Sequence, residues 1–145
     1  MRIIVQKSKE SYVTVDDKTI GHINSGLVLL VAFKVGDDGS DIPKMAKKVV
    51  NLRIFEDESG IMNNSLLDVG GDILSISQFT LYGNAKKGNR PSYIDSMKAD
   101  DARKMYELFN EELRKYVKVE MGQFQTNMIV HIINDGPTTI ILDSE

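Results

Sequence analysis

Residues 26–33, GLVLLVAF, constrain the fold more than any other stretch of the chain. The apolar run at 27–33 is far too short to cross a bilayer, which takes about 20 residues. It reads instead as a strand buried on both faces, and such a strand needs a packed layer on each side. Two stretches carry helical periodicity. In the first, Ile42, Met45, Ala46, Val49 and Leu52 recur at three- and four-residue spacing, with Ser40 as the expected N-cap and Pro43 in the first turn. The second covers residues 100–116, with Ala102, Met105, Tyr106, Phe109, Leu113 and Tyr116 as its apolar stripe. The remaining patterned segments read as strands: RIIVQ, SYVTV, TIGHI, DILSISQFTLYG, VKVE, NMIVHII and TTIIL. A polar KSKE turn between RIIVQ and SYVTV predicts an antiparallel pair, which TIGHI extends. This order predicts an α+β fold: one domain over residues 1–145, a mostly antiparallel or mixed sheet, and two main helices packed on it. Two helices cannot cover both faces of so many strands. One face must therefore curl on itself or meet another subunit, so a dimer is expected.

Composition removes several kinds of chemistry. The chain has no cysteine, which excludes disulfides, thiolate nucleophiles and cysteine-ligated zinc. His22 and His131 are its only histidines, too few for a His-rich metal site. A net charge of −3 argues against a broad nucleic-acid surface but allows a local basic patch. The opening MRIIVQ leads directly into a strand pattern and lacks the features of a signal peptide, so a cytoplasmic location is expected. FEDESG (55–60) lacks the pattern of a calcium loop and reads as a solvated turn. Met45, Met105 and Met128 read as packing residues. His131 reads as a core or interface residue, and His22 as part of a turn-like stretch.

Three segments could carry chemistry. Ser77, Gln78, Phe79 and Thr80 lie where an apolar strand turns polar. Hydroxyls, an amide and free backbone N–H groups there could bind an oxyanion or orient water, although Ser and Thr also suit a half-exposed strand. Lys86, Lys87 and Arg90 follow on a Gly/Pro loop, where they could hold a phosphate or simply be solvated. Finally, NDGP (134–137) stands between two strand patterns, where composition alone indicates a turn.

Taken together, SISQFTLYG (75–83), KKGNRPSY (86–93), NDGPTTI (134–140), NLRIFED (51–57) and the start MRIIVQKSKESYVTV resemble the D-aminoacyl-tRNA deacylase family over essentially the whole chain. The resemblance implies hydrolysis of the ester joining a D-amino acid, or mischarged glycine, to the 3′ end of tRNA. It implies a cytoplasmic homodimer that needs neither metal nor cofactor and has no membrane partner. It places Ser77, Gln78, Phe79 and Thr80 in the catalytic pocket. Phe124 and Met128, with Lys86, Lys87 and Arg90, would meet the terminal adenosine and the tRNA. Gly136 and Pro137 match the family's Gly-cis-Pro element, which enters the partner subunit's site and rejects L-aminoacyl-tRNA. The chain departs from the family pattern at Gln125 and Thr126, usually Gly and a small residue, at Thr138, usually Val, and at Ile61, commonly basic. A noncatalytic RNA-end binding module and an esterase or peptidase with Thr80 as covalent nucleophile are the competing readings.

Overall fold

The structure, a computed structural model, describes residues 1–144. In order along the chain are β1 (Arg2–Ser8), β2 (Ser11–Val15), β3 (Lys18–Ile23), β4 (Gly26–Ala32), α1 (Ile42–Asn51), β5 (Phe55–Glu56), β6 (Met62–Asn64), α2 (Leu66–Val69) and β7 (Asp72–Ser77). A 3-10 turn (Phe79–Tyr82), α3 (Ala99–Arg114), β8 (Val119–Met121), β9 (Ile129–His131) and β10 (Asn134–Asp143) follow.

The apolar run becomes β4, the middle strand of a five-stranded mixed sheet in the order β10-β1-β4-β7-β8. Its pairing is antiparallel to β1 and parallel to β7, and β7 is in turn parallel to β8. One face of this sheet meets the helices. There Ile3, Val5, Leu27, Leu29 and Ile73 pack with Met45, Val49, Tyr106, Phe109 and Leu113 in the larger core. The other face meets a small sheet in the order β3-β2-β9, and Val28, Leu74 and Ile76 pack there against Val13 and Ile23. Alternate residues of β4 thus face opposite layers, which is why its apolar run is unbroken. Truncating a filled position such as Phe109, fully buried, to alanine would cost about 3–5 kcal/mol.

The small sheet corrects two expectations. RIIVQ and SYVTV do not form a pair: β1 pairs with β10 and β4, while β2 pairs with β3 and β9. The polar turn is a corner between sheets, so the pattern of each strand was legible but its partner was not. The second face of the large sheet is covered by the chain curling on itself, so the shortage of helices does not by itself require a second subunit. The β2–β3 turn places Asp16 and Asp17 at φ 48° and 61°, the left-handed pair that a two-residue hairpin turn requires. His22 lies on β3, not in a turn, and pairs with Glu10 at 2.9 Å. Gly21 lets β3 cross close over β8, since a Cβ there would lie 2.8 Å from the Met121 carbonyl oxygen.

Helix limits shift slightly from expectation. Asp41, not Ser40, is the N-cap of α1, and Tyr116 lies beyond the end of α3. The one-turn α2 is closed by a capping box, in which Ser65 Oγ accepts from the Asp68 N–H and the Asp68 carboxylate accepts from the Ser65 N–H.

Candidate active site

The polar end of β7 sits beside the ends of its parallel neighbours. The predicted strand 72–81 stops at Ser77. Gln78 still donates its N–H to the Val31 carbonyl at 2.8 Å, so this donor is spent on the ladder with β4. The chain then tightens into the 3-10 turn, with the Gly83 N–H reaching the Thr80 carbonyl at 2.9 Å. Phe79 and Thr80 open that turn, so their N–H groups have no partner within it. Neither meets another acceptor among the described residues. The expected donor group around 78–80 thus narrows to two. Ser96 Oγ donates to the Phe79 carbonyl at 3.1 Å and pins the turn. Gln78 Nε2 donates to Thr80 Oγ1.

A pocket of about 560 Å³ opens here, at the carboxyl ends of β4 and β7 and against the segment that follows β8. Open α/β sheets commonly bind ligands at that position, because the connections diverge there. Ser77, Gln78, Phe79, Phe124 and Met128 all line it; Thr80 adjoins the wall without forming it. The remaining wall includes Tyr93, Ala99, Ala102, Gln125, Thr126 and Asn127. Sequence reading did not assign Tyr93, Ala99, Ala102 or Asn127 to the site. Ala99 and Ala102 are small residues at the start of α3 and leave room for a ligand. Tyr93 stands edge-to-face with Phe79 at 5.2 Å between ring centroids. No Asp, Glu or His lines the pocket among the described residues.

Lys86, Lys87 and Arg90 are exposed on the tip of a hairpin whose stem is the Asn84–Ser92 bridge, with backbone hydrogen bonds of 2.8 and 2.9 Å. They do not enter the pocket wall. Lys86 instead borders a separate shallow hollow of about 400 Å³ with Arg2, Tyr82 and Asp95. Tyr93, just past the stem, ties the hairpin to the pocket.

Gly136 and Pro137 lie outside their own chain's pocket and are exposed. The bond between them is cis. NDGP is neither a plain turn nor a separate loop. It belongs to β10 and bulges from it, since Gln6 faces Thr139 while Ser8 faces Asn134. Asn134 closes the bulge: its Nδ2 donates to the Thr138 carbonyl at 2.9 Å and the Lys7 carbonyl at 3.0 Å. The buried Lys7 ammonium lies 3.7 Å from Asp135. His131, also distant from a candidate base role, stacks on Tyr12 at 4.2 Å.

The profile of the D-Tyr-tRNA(Tyr) deacylase family matches residues 4–143. The chain belongs to this family. It is 53% identical over 146 residues, the full length of both chains, to "D-aminoacyl-tRNA deacylase" of Bacillus cereus (strain AH187), and equally identical to that of Bacillus anthracis (strain CDC 684 / NRRL 3495). Among solved structures it is similar to "c-Myc DNA Unwinding Element Binding Protein", with a TM-score of 0.94 and 38% identity over 100% of this chain and 99% of that one. A probable eukaryotic D-amino acid tRNA deacylase shares the fold at TM-score 0.84 and 18% identity, covering 99% and 98%. Within this deacylase-family fold, Tyr82, the last residue of the 3-10 turn, has its phenol pushed up to about 12. Burial is the main cause, followed by the negative charges of Asp37 and Asp143.

Proposed function

We propose that this chain hydrolyses the ester joining a D-amino acid to the 3′ end of tRNA, releasing free D-amino acid and tRNA, and that it likewise clears glycine from mischarged tRNA. The observation that carries the reading is the pair of N–H groups, Phe79 and Thr80, unengaged among the described residues and beside a pocket that no described acid or histidine lines. An aminoacyl ester is already activated, so an oriented water and prepaid donors suffice. Water adds to the ester carbonyl, and the resulting oxyanion accepts from these N–H groups. Collapse expels the 3′ oxygen, which takes up the proton that the water gives. One such donor is worth roughly 2.7–4 kcal/mol in the transition state. Thr80 orients the water, aided by the RNA's own 2′-OH.

Chiral selection falls to Gly136 and Pro137 of a second copy. Their exposed backbone can approach the substrate's α-carbon without a side chain of its own. Such a wall excludes an L side chain and ignores the identity of a D one. Lys86, Lys87 and Arg90 take the acceptor-end phosphates, while Phe124 and Met128 flank the terminal adenosine. The enzyme works as a cytoplasmic homodimer.

The deciding experiment sets D-Tyr-tRNA and L-Tyr-tRNA side by side at substoichiometric protein. Release of D-tyrosine over many turnovers, with the L ester spared, is expected. Equal cleavage of both removes the chiral reading. No turnover leaves a noncatalytic RNA-end binding module.

A further inference from the structure

Residues 124–128 form one wall of the pocket, and the segment is fastened to α3 by a single cation. Arg103 Nη2 donates to Gln125 Oε1 at 2.8 Å, and its guanidinium lies 5.2 Å from the centre of the Phe124 ring. The base of the segment is fixed independently. Thr126 Oγ1 donates to the Gln123 carbonyl at 2.9 Å, and a Cβ on Gly122 would come within 2.7 Å of Met128 Sδ. At the crest, Gln125 takes φ +58°, a left-handed conformation that glycine adopts freely and glutamine rarely. Non-glycine residues held in such conformations concentrate at functional sites. A long polar side chain therefore stands on the pocket wall in a backbone setting that favours none.

The contact with Arg103 also fixes which end of the amide is free. A guanidinium only donates, so the end it holds must be the oxygen. The NH₂ makes no hydrogen bond among the described residues, on a side chain whose residue lines the pocket, and an NH₂ only donates. A purine presents ring nitrogens that accept. We propose that Gln125 is a specificity-determining residue of the pocket, donating from Nε2 to a ring nitrogen of the terminal purine, and that Arg103 is the residue positioning it. This rests on the deacylase reading above, in which the pocket takes the 3′-terminal nucleoside.

The probe is 3′-(D-tyrosylamino)-3′-deoxyadenosine, which has an amide in place of the ester, together with its 1-, 3- and 7-deaza forms. Gln125→Glu keeps the side-chain length and a partner for Arg103 but removes the NH₂. Gln125→Gly removes the side chain and suits the backbone. Both should weaken binding of the adenosine probe roughly two- to tenfold, the worth of one hydrogen bond, and raise KM for D-Tyr-tRNA more than they lower kcat. One deaza probe should lose the same factor with the wild type and nothing further with Gln125→Glu. Arg103→Met should weaken binding in the same direction, with thermal unfolding showing that the fold is intact. Wild-type affinity in Gln125→Glu, or deaza probes that lose equally in both proteins, overturns the inference. If the wild type hydrolyses D-Tyr-tRNA yet binds no adenosine probe, this inference falls and the deacylase reading stands. If it does neither, both fall.

Discussion

At the scale of single residues, Thr80 Oγ1 accepts from Gln78 Nε2, a contact that supplies no base. Accepting a hydrogen bond leaves the Thr80 proton in place, and a threonine nucleophile needs a base to remove it. Among the described residues no acid or histidine lines the pocket to do so. Thr80→Ala should therefore retain activity within about tenfold of the wild type, the cost of one neutral hydrogen bond, and Thr80→Ser should do better. Single-turnover hydrolysis with mass analysis of the protein checks this; an acyl adduct on Thr80 and a dead alanine variant would defeat it. That Ser77, Gln78 and Phe79 stand at the end of β7, on a pocket wall, was legible because hydroxyls and an amide interrupt an apolar strand. The loss of the Gln78 N–H to Val31 was not legible, because it depends on the parallel register of β7 against a distant β4. Tyr93 and Arg103 escaped for the same reason: they reach the site through space, from segments whose own patterns signal only a loop and a solvated helix face.

At the scale of elements, the outer strand of the large sheet shows what local patterning decides and what it leaves open. TTIIL is readable as a strand, but its extension back through NDGP is not, because Gly and Pro ordinarily end strands. Here the side chain of Asn134 supplies the hydrogen bonds that the bulge lacks. The far end of the β1–β10 pair is closed by Arg2, whose Nε and Nη2 donate to the Asp143 carboxylate at 2.8 and 3.1 Å. Those hydrogen bonds hold the Asp143 pKa below its ordinary 3.8. A carboxylate depressed on folding stabilises at pH values above its ordinary one, and the contribution fades as pH falls through the lower folded value. Both partners are substantially exposed, so the effect is at most about 1 kcal/mol. Asp143→Asn should lower the urea midpoint slightly at pH 7, and the difference from the wild type should vanish in strong acid. A difference that persists there would remove the ion pair as its cause. The hairpin at 84–92 carries a different expectation. Replacing Lys86, Lys87 and Arg90 with alanine should weaken tRNA binding and flatten its dependence on salt, since fewer counterions are released. An unchanged slope in filter binding would take these residues out of the interface.

At the scale of the whole molecule, the helices, the large sheet and the small sheet make three layers, and both main cores lie within one chain. A second copy is thus not needed to complete the fold, and the argument for it moves to the site. Gly136 and Pro137 are exposed on an edge strand away from their own pocket, and Ile129, Ile133 and Ile141 are exposed on β9, β10 and the link between them. An apolar edge of this kind is normally covered. If a second copy covers it and each copy's Gly136 completes the other's pocket, light scattering should give twice the 16.2 kDa chain mass at micromolar concentration. Mixing then becomes informative. Gly136 sits at φ +112°, where a Cβ would meet Thr138 Oγ1 at 2.5 Å and its N–H nitrogen at 2.8 Å. Gly136→Ala should distort the bulge and spoil D-over-L selection without unfolding either core. Ala99→Trp should fill the pocket of its own chain, where Ala99 lines the wall. Each variant alone should fail as a selective deacylase. A co-refolded mixture should recover about a quarter of the wild-type sites, because half the dimers are mixed and each holds one site free of both changes. A monomer in solution, or a mixture no better than its parents, would place chiral selection within a single chain.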